Sequence, residues 1–131
     1  MESLFNLGIN EKMLVLMIER CPAIKDMDNN DIEKYIQVLE FIGCSDNIKK
    51  NIIESNPEYL DRILDDVFNL MKYLFSVGFT RLDILLDSNP YILNLDVFEI
   101  KEYIDKNLGK GRSIEEVVNE LDSNPYLFNE M

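Results

Sequence analysis

The chain contains no histidine. That removes every Ser-His or Cys-His nucleophilic pair and every imidazole metal site at once. It has only two cysteines, Cys21 and Cys44, in different pattern positions and without metal-ligand spacing. No apolar run approaches the roughly 18 residues a membrane span needs. The opening "MESLFNLGINEKM" carries Glu2 and Glu11 and no arginine before Arg20. It therefore reads neither as a secretory signal nor as a transit peptide. With no export signal, the expected state is a cytoplasmic protein with reduced thiols. Basic residues are scarce too: thirteen Lys and Arg stand against twenty-five Asp and Glu, a net charge of −12. Such a balance disfavours bulk attraction to a polyanion or an anionic membrane, because both depend on Lys and Arg. It permits a basic partner. At 131 residues with 47% apolar composition, the chain can bury one domain-sized core.

Proline is the most informative scarcity. The only four are Pro22, Pro57, Pro90 and Pro125, spaced 35, 33 and 35 apart. Three sit in near-copies of one hexapeptide, "SNPEYL", "SNPYIL" and "SNPYLF". Upstream of each proline lies a glycine, Gly8, Gly43, Gly78 or Gly111, at a distance of 14 except for the third, at 12. Two positions after each glycine stands Asn10, Ser45, Thr80 or Ser113. This is helix punctuation. A glycine in the left-handed region ends one helix, and a short polar side chain caps the next. Ser113 with Glu116 makes a capping box, and Thr80 with Asp83 a weaker one. The residue before proline leaves the α region, so each short helix stops at the Asn-Pro step. Proline then suits the first position of a new turn, with Asn56, Asn89 and Asn124 as its N-caps.

A longer helix follows each joint, marked by Ile32, Ile36, Leu39 and Ile42, by Val67, Leu70, Met71, Leu74 and Phe75, and by Val97, Ile100, Ile104 and Leu108. All have 3.6-type spacing, and no segment sustains a period of two. The fold expected is all-α, one repeat domain over 1–131. Its units of about 34 residues fall at 1–22 (partial), 23–57, 58–90 and 91–131. A unit like this buries its apolar face only by stacking on neighbours. Leu4, Phe5, Leu7 and Gly8 match the tail of a long helix, and "PYLFNEM" closes mid-unit. Tyr126, Leu127 and Phe128 are left to fold back, stay exposed or meet a second copy, so self-association through the end units is one expectation.

The unit "GFTRLDILLDSNPYIL", with "GCSDNIKKNIIESNPEYL", "GINEKMLVLMIERCPAI" and "GRSIEEVVNELDSNPYLF", resembles the mitochondrial transcription termination factor (mTERF) repeat over nearly the whole chain. The tetratricopeptide repeat has a similar period. It uses two helices of similar length with small residues between them, whereas this chain has three unequal pieces and one alanine, Ala23. The mTERF resemblance implies a right-curved solenoid of helix triplets, three to four units long, with a concave groove. In the family that groove is basic and binds nucleic acid; here the chain is strongly acidic.

One acidic stripe recurs in register, and a basic set lies early in the short helices. Three residues before each proline stands a carboxylate: Glu19, Glu54, Asp87 and Asp122. Acids near a helix C-terminus cost roughly 0.3–1 kcal/mol each. The stripe reads as a contact for a basic protein partner, or as a solvated face that repeats with the unit. Lys12, Lys49, Lys50, Arg81 and Arg112 lie early in the short helices. They read as nucleic-acid contacts, or as ordinary surface balance. "KDMDNNDIEKYIQ" (25–37) imitates a calcium loop. It has Asp31 where that loop needs glycine and Gln37 where it needs glutamate, so it reads as a link with Asp28 or Asn30 as a cap. "GKGRS" (109–113) lacks phosphate-loop spacing. No catalytic residues, metal or cofactor are expected. The leading expectation is a non-enzymatic interaction module, its groove contacting a protein partner; the alternative is nucleic-acid binding like the mTERF family.

Overall fold

The computed structural model describes all of residues 1–131. The chain is all-α and divides into two compact units, Met1–Leu64 and Asp65–Met131. The first holds α1 (Glu2–Asn6), α2 (Glu11–Arg20), a 3-10 turn (Pro22–Asp26), α3 (Asn29–Phe41), α4 (Asp46–Ser55) and a second 3-10 turn (Pro57–Asp61). The second holds α5 (Leu64–Val77, opening one residue before the boundary), α6 (Leu82–Ser88), a 3-10 turn (Pro90–Asn94), α7 (Val97–Gly109), α8 (Ile114–Ser123) and a last 3-10 turn (Pro125–Glu130). The repeat is therefore long helix, short helix, 3-10 turn.

Each long helix ends in the same way. Gly8, Gly43, Gly78 and Gly111 all have positive φ, between 87° and 119°. The next N–H reaches back five residues: Ile9 to Leu4 O, Cys44 to Leu39 O, Phe79 to Leu74 O and Arg112 to Asn107 O, at 3.0–3.3 Å. The glycine N–H bonds three residues back in each case. This is the Schellman arrangement, and it satisfies carbonyls the helix end would leave bare. In the first three copies both members of the five-residue pair are buried. In the fourth the pair is polar, and Arg112 Nη1 donates to Asn107 Oδ1 at 2.8 Å.

The following helices start as their caps dictate. Asn10 accepts from Met13 N, Ser45 from Ile48 N, and Ser113 with Glu116 forms a complete capping box. Asp28 caps α3, accepting from Asp31 N at 2.8 Å, and Asp96 caps α7. Thr80 departs from expectation. The shorter third unit starts its helix only at Leu82, and Arg81 holds the Asp83 carboxylate in two bonds of 3.1 and 2.9 Å. That carboxylate is thereby taken from the Thr80 N–H a capping box would need.

All four proline joints share one backbone. Cys21, Asn56, Asn89 and Asn124 lie at φ −135° to −143° and ψ 70° to 86°, outside the α region as a following proline demands. Cysteine serves as well as asparagine here, so the asparagine is not a backbone requirement. Nor is it a general N-cap: only Asn89 accepts from the turn, at Tyr91 N, while Asn56 and Asn124 make no side-chain cap. The Asn89 amide does something else. It is 1% exposed, and its Nδ2 donates to Pro125 O and Asn129 Oδ1, both at 3.0 Å. It thus ties one 3-10 turn to the next within the second unit. In the first unit Arg20 plays a related part, its Nη1 donating to Ser55 O at 3.0 Å.

Four residues before each proline stand Ile18, Ile53, Leu86 and Leu121, and two after stand Ile24, Tyr59, Ile92 and Leu127; all are fully buried except the end members Ile18 and Leu127, which are half-buried. α1 packs on α3, and Asn29 Oδ1 caps the start of α1 by accepting from Ser3 N at 2.8 Å. At the other end Phe128 folds back to 0% exposure with its ring 6.0 Å from that of Phe79. Full burial of such a ring stabilises by about 1.5–3 kcal/mol. Tyr126 stays exposed.

Gly43 has no atom within 4 Å of where a Cβ would stand, so Gly43→Ala costs only its left-handed backbone, about 1–2 kcal/mol. Gly109 has equal space without the positive φ, and Gly109→Ala stabilises α7 by up to about 1 kcal/mol. Urea denaturation midpoints should move in opposite directions for the two. Asn89→Ala removes the hydrogen bonds of a buried amide to Pro125 and Asn129 and should cost about 1–3 kcal/mol, against less than about 0.5 for Asn124→Ala in the same assay.

Candidate interaction surfaces

The register that aligns the acidic stripe places it on the last turns of α2, α4, α6 and α8. Glu19, Asp87 and Asp122 are exposed, and Glu54 is half-buried. In the first unit the structure brings two of them together. Glu19 and Glu54 share a cleft of about 290 Å³ whose apolar lining is Met13, Leu16 and Met17. Arg20 also lines it, but its guanidinium is held by Glu58 at 3.1 Å. Lys50 meets Glu54 at 3.7 Å, the i,i+4 pair their spacing suggests.

The basic set is largely engaged inside the fold. Lys49 is 6% exposed, and its ammonium sits between Asp46 at 3.2 Å and Glu40 at 3.7 Å. It is a structural cation that joins the end of α3 to the start of α4, not a surface contact. The reason is positional: the fourth residue of α4 faces inward and carries its charge out along the helix. Arg81 is paired with Asp83, and Arg112 with Glu120 at 2.9 Å. The Arg81 hydrogen bonds hold the Asp83 carboxyl below its usual range. Lys12 alone of the five is exposed without an ion pair. The exposed pairs are worth little, at most about 1 kcal/mol, so Lys50, Arg81 and Arg112 can exchange partners; buried Lys49 cannot do so cheaply.

Two surfaces lie outside the stripes. On the second unit a cleft of about 500 Å³ runs along α7, lined by Phe98, Lys101, Glu102, Asp105 and Lys106. Phe98 is 69% exposed, and the Lys101 ammonium lies 5.2 Å from the centre of the Tyr73 ring. The signal for this face was present as 3.6-type spacing, with Phe98, Lys101, Asp105 and Lys106 lying on one side of the helix. It was overlooked because it occurs once and does not recur with the repeat. On the first unit a cleft of about 430 Å³ opens among the two 3-10 turns and α3, with Asp26, Asp31 and Asp61 around it and Tyr35 and Leu60 in its lining. Asp28, from the calcium-like stretch, is engaged as the α3 cap.

Neither cysteine is in a disulfide, and both are buried. No helix is long and apolar enough to cross a membrane. An all-α chain in which a left-handed glycine, a short helix and a proline-headed 3-10 turn recur four times is a helical-repeat protein. Its three unequal pieces per unit separate it from the tetratricopeptide pattern. The mTERF family model matches residues 1–128, and the chain belongs to that family. Comparison with curated proteins gives no match.

Burial, and then the nearby Asp61 and Glu58 charges, push the Cys21 thiol above its ordinary range. The thiolate is the reactive form, so the native protein at about pH 8 should react with a disulfide reagent at least about tenfold more slowly than the denatured chain. Release of one rapid equivalent from the native protein would contradict that placement.

Proposed function

We propose that this chain is a non-enzymatic, nucleic-acid-binding repeat module that works in the cytoplasm. What supports the reading is membership of the mTERF family over residues 1–128, whose helical-repeat members usually bind nucleic acid. Family membership favours this partner class over protein. The overall −12 makes any such binding depend on a local surface rather than on the field of the whole chain. The α7 face is the best fitted, since Lys101 and Lys106 flank the exposed Phe98. Cations beside an aromatic surface suit a phosphate backbone with an adjacent stacked base. Among the basic residues early in the short helices, Lys12 is the one free to add a contact, and Lys50, Arg81 and Arg112 would do so by exchanging their carboxylates.

A basic-surfaced protein is the second reading, favoured by the carboxylates of Glu19 and Glu54 above an apolar cleft. The two readings separate in a fluorescence-anisotropy titration with labelled single- and double-stranded DNA and RNA. Two lysine–phosphate contacts predict about a tenfold loss of affinity between roughly 50 and 200 mM salt. Lys101→Ala with Lys106→Ala should abolish most of the binding, and Lys49→Met should leave it unchanged if the variant is folded. Absence of binding at low salt, or indifference to Lys101 and Lys106, would overturn the first reading.

A further inference from the structure

The cleft on the first unit repays comparison with the same register in the second. Four residues after the prolines stand Asp26, Asp61, Asn94 and Asn129. In the second unit Asn129 is fastened by the Asn89 amide, which comes from the residue before the preceding proline. In the first unit the position equivalent to Asn89 is Cys21, and the position equivalent to Asn129 is Asp61. A thiol is a poor donor, so the amide clasp is missing there. A carboxylate stands in its place, exposed at the edge of a cavity of about 430 Å³.

Asp61 and Asp26 make no hydrogen bond or ion pair inside the protein. Asp31 meets only Lys34, at 3.8 Å across an exposed pair, an interaction worth little. Three carboxylates and one ammonium, Lys34, thus line a cleft whose accessible apolar part is Met27 and Leu64. Tyr35 supplies an aromatic wall. Its hydroxyl donates to the Arg62 carbonyl, and its ring meets Tyr59 in a T-shaped contact at 5.4 Å, which fixes its orientation. The carboxylates are not grouped to hold a metal ion. A phosphate would be repelled.

The chemistry that fits is a long apolar stem ending in a delocalised cation: the stem on Met27 and Leu64, the charge beside carboxylates and against an aromatic face. Guanidinium suits this better than ammonium, being planar, weakly hydrated and able to hold two carboxylate oxygens at once. The geometry points to this cleft as a receptor for an arginine side chain presented by a partner protein. It rests on the second reading above, and its site is separate from the α7 face.

The test is a ¹⁵N-amide shift titration of the full chain with the blocked tripeptide acetyl-Gly-Arg-Gly-amide. The control is the same peptide with neutral, near-isosteric citrulline. The arginine peptide should give saturable shifts centred on Asp26, Met27, Asp31, Tyr35 and Asp61, with an affinity of about millimolar order. Citrulline should give none. Asp26→Asn with Asp61→Asn should weaken binding at least about tenfold, and Asp122→Asn should not. Both altered positions are exposed, and the spectrum itself reports whether the variant is folded; Asp61→Asn alone should give a smaller loss in the same direction. Equal shifts with citrulline, no localised shifts, or shifts that survive the double substitution would overturn the assignment. Saturable shifts centred on Glu19 and Glu54 would also overturn it while leaving the protein-partner reading standing.

Discussion

At the end of every long helix a glycine turns through positive φ, and the N–H beyond it returns to a carbonyl five residues back. Everything downstream takes its direction from that bond. It terminates the long helix, aims the chain at a capping residue, and so sets which face of the short helix is buried. The proline then closes the short helix at a fixed distance. Where that distance is two residues less, in the third unit, α6 shortens to seven residues and loses its side-chain cap. The joint beyond it is unchanged. The repeat is therefore defined by its punctuation, and the helices between are adjustable.

A consequence concerns charge. The basic residues early in the short helices mostly find a carboxylate close by in the chain. Lys49 with Asp46, Lys50 with Glu54, Arg81 with Asp83 and Arg112 with Glu120 all join residues within eight positions of each other. A net charge of −12 then coexists with surfaces that differ sharply from the mean. The α7 face carries unpaired lysines beside an aromatic ring, while the cleft under the first two prolines carries unpaired carboxylates. Recognition by this protein depends on which of those surfaces a partner meets, and the mean charge acts as a background that repels anionic ligands and is screened by salt.

Much of the architecture was legible in four prolines and four glycines, because left-handed φ and a missing N–H are local constraints that tertiary context rarely overrides. The capping box at Ser113 and the cap at Asp28 were legible for the same reason. The asparagine of the joint was legible only in part: Asn89 caps its turn as its local chemistry suggests, Asn56 and Asn124 do not, and the Asn89 amide also reaches a turn 36 residues away, which no local pattern encodes. The acidic stripe was legible as register and not as a site, since register says nothing about pairing; Lys49, by contrast, occupies the place held in the other units by Leu14, Leu82 and Val117, all of them buried. The α7 face and the Asp61 cleft were missed because each breaks the repeat instead of following it. In a repeat protein the shared positions build the scaffold, and the exceptions are where a partner can be told apart.

The central claim is that binding resides on those exceptions. It is tested most directly by mapping amide shifts of the full chain on titration with a short unlabelled oligonucleotide at low salt. The account predicts that the shifts centre on Phe98, Lys101 and Lys106 and spare the cleft at Asp26 and Asp61. Shifts centred instead on the recurring basic positions of the short helices, with α7 unmoved, would contradict it.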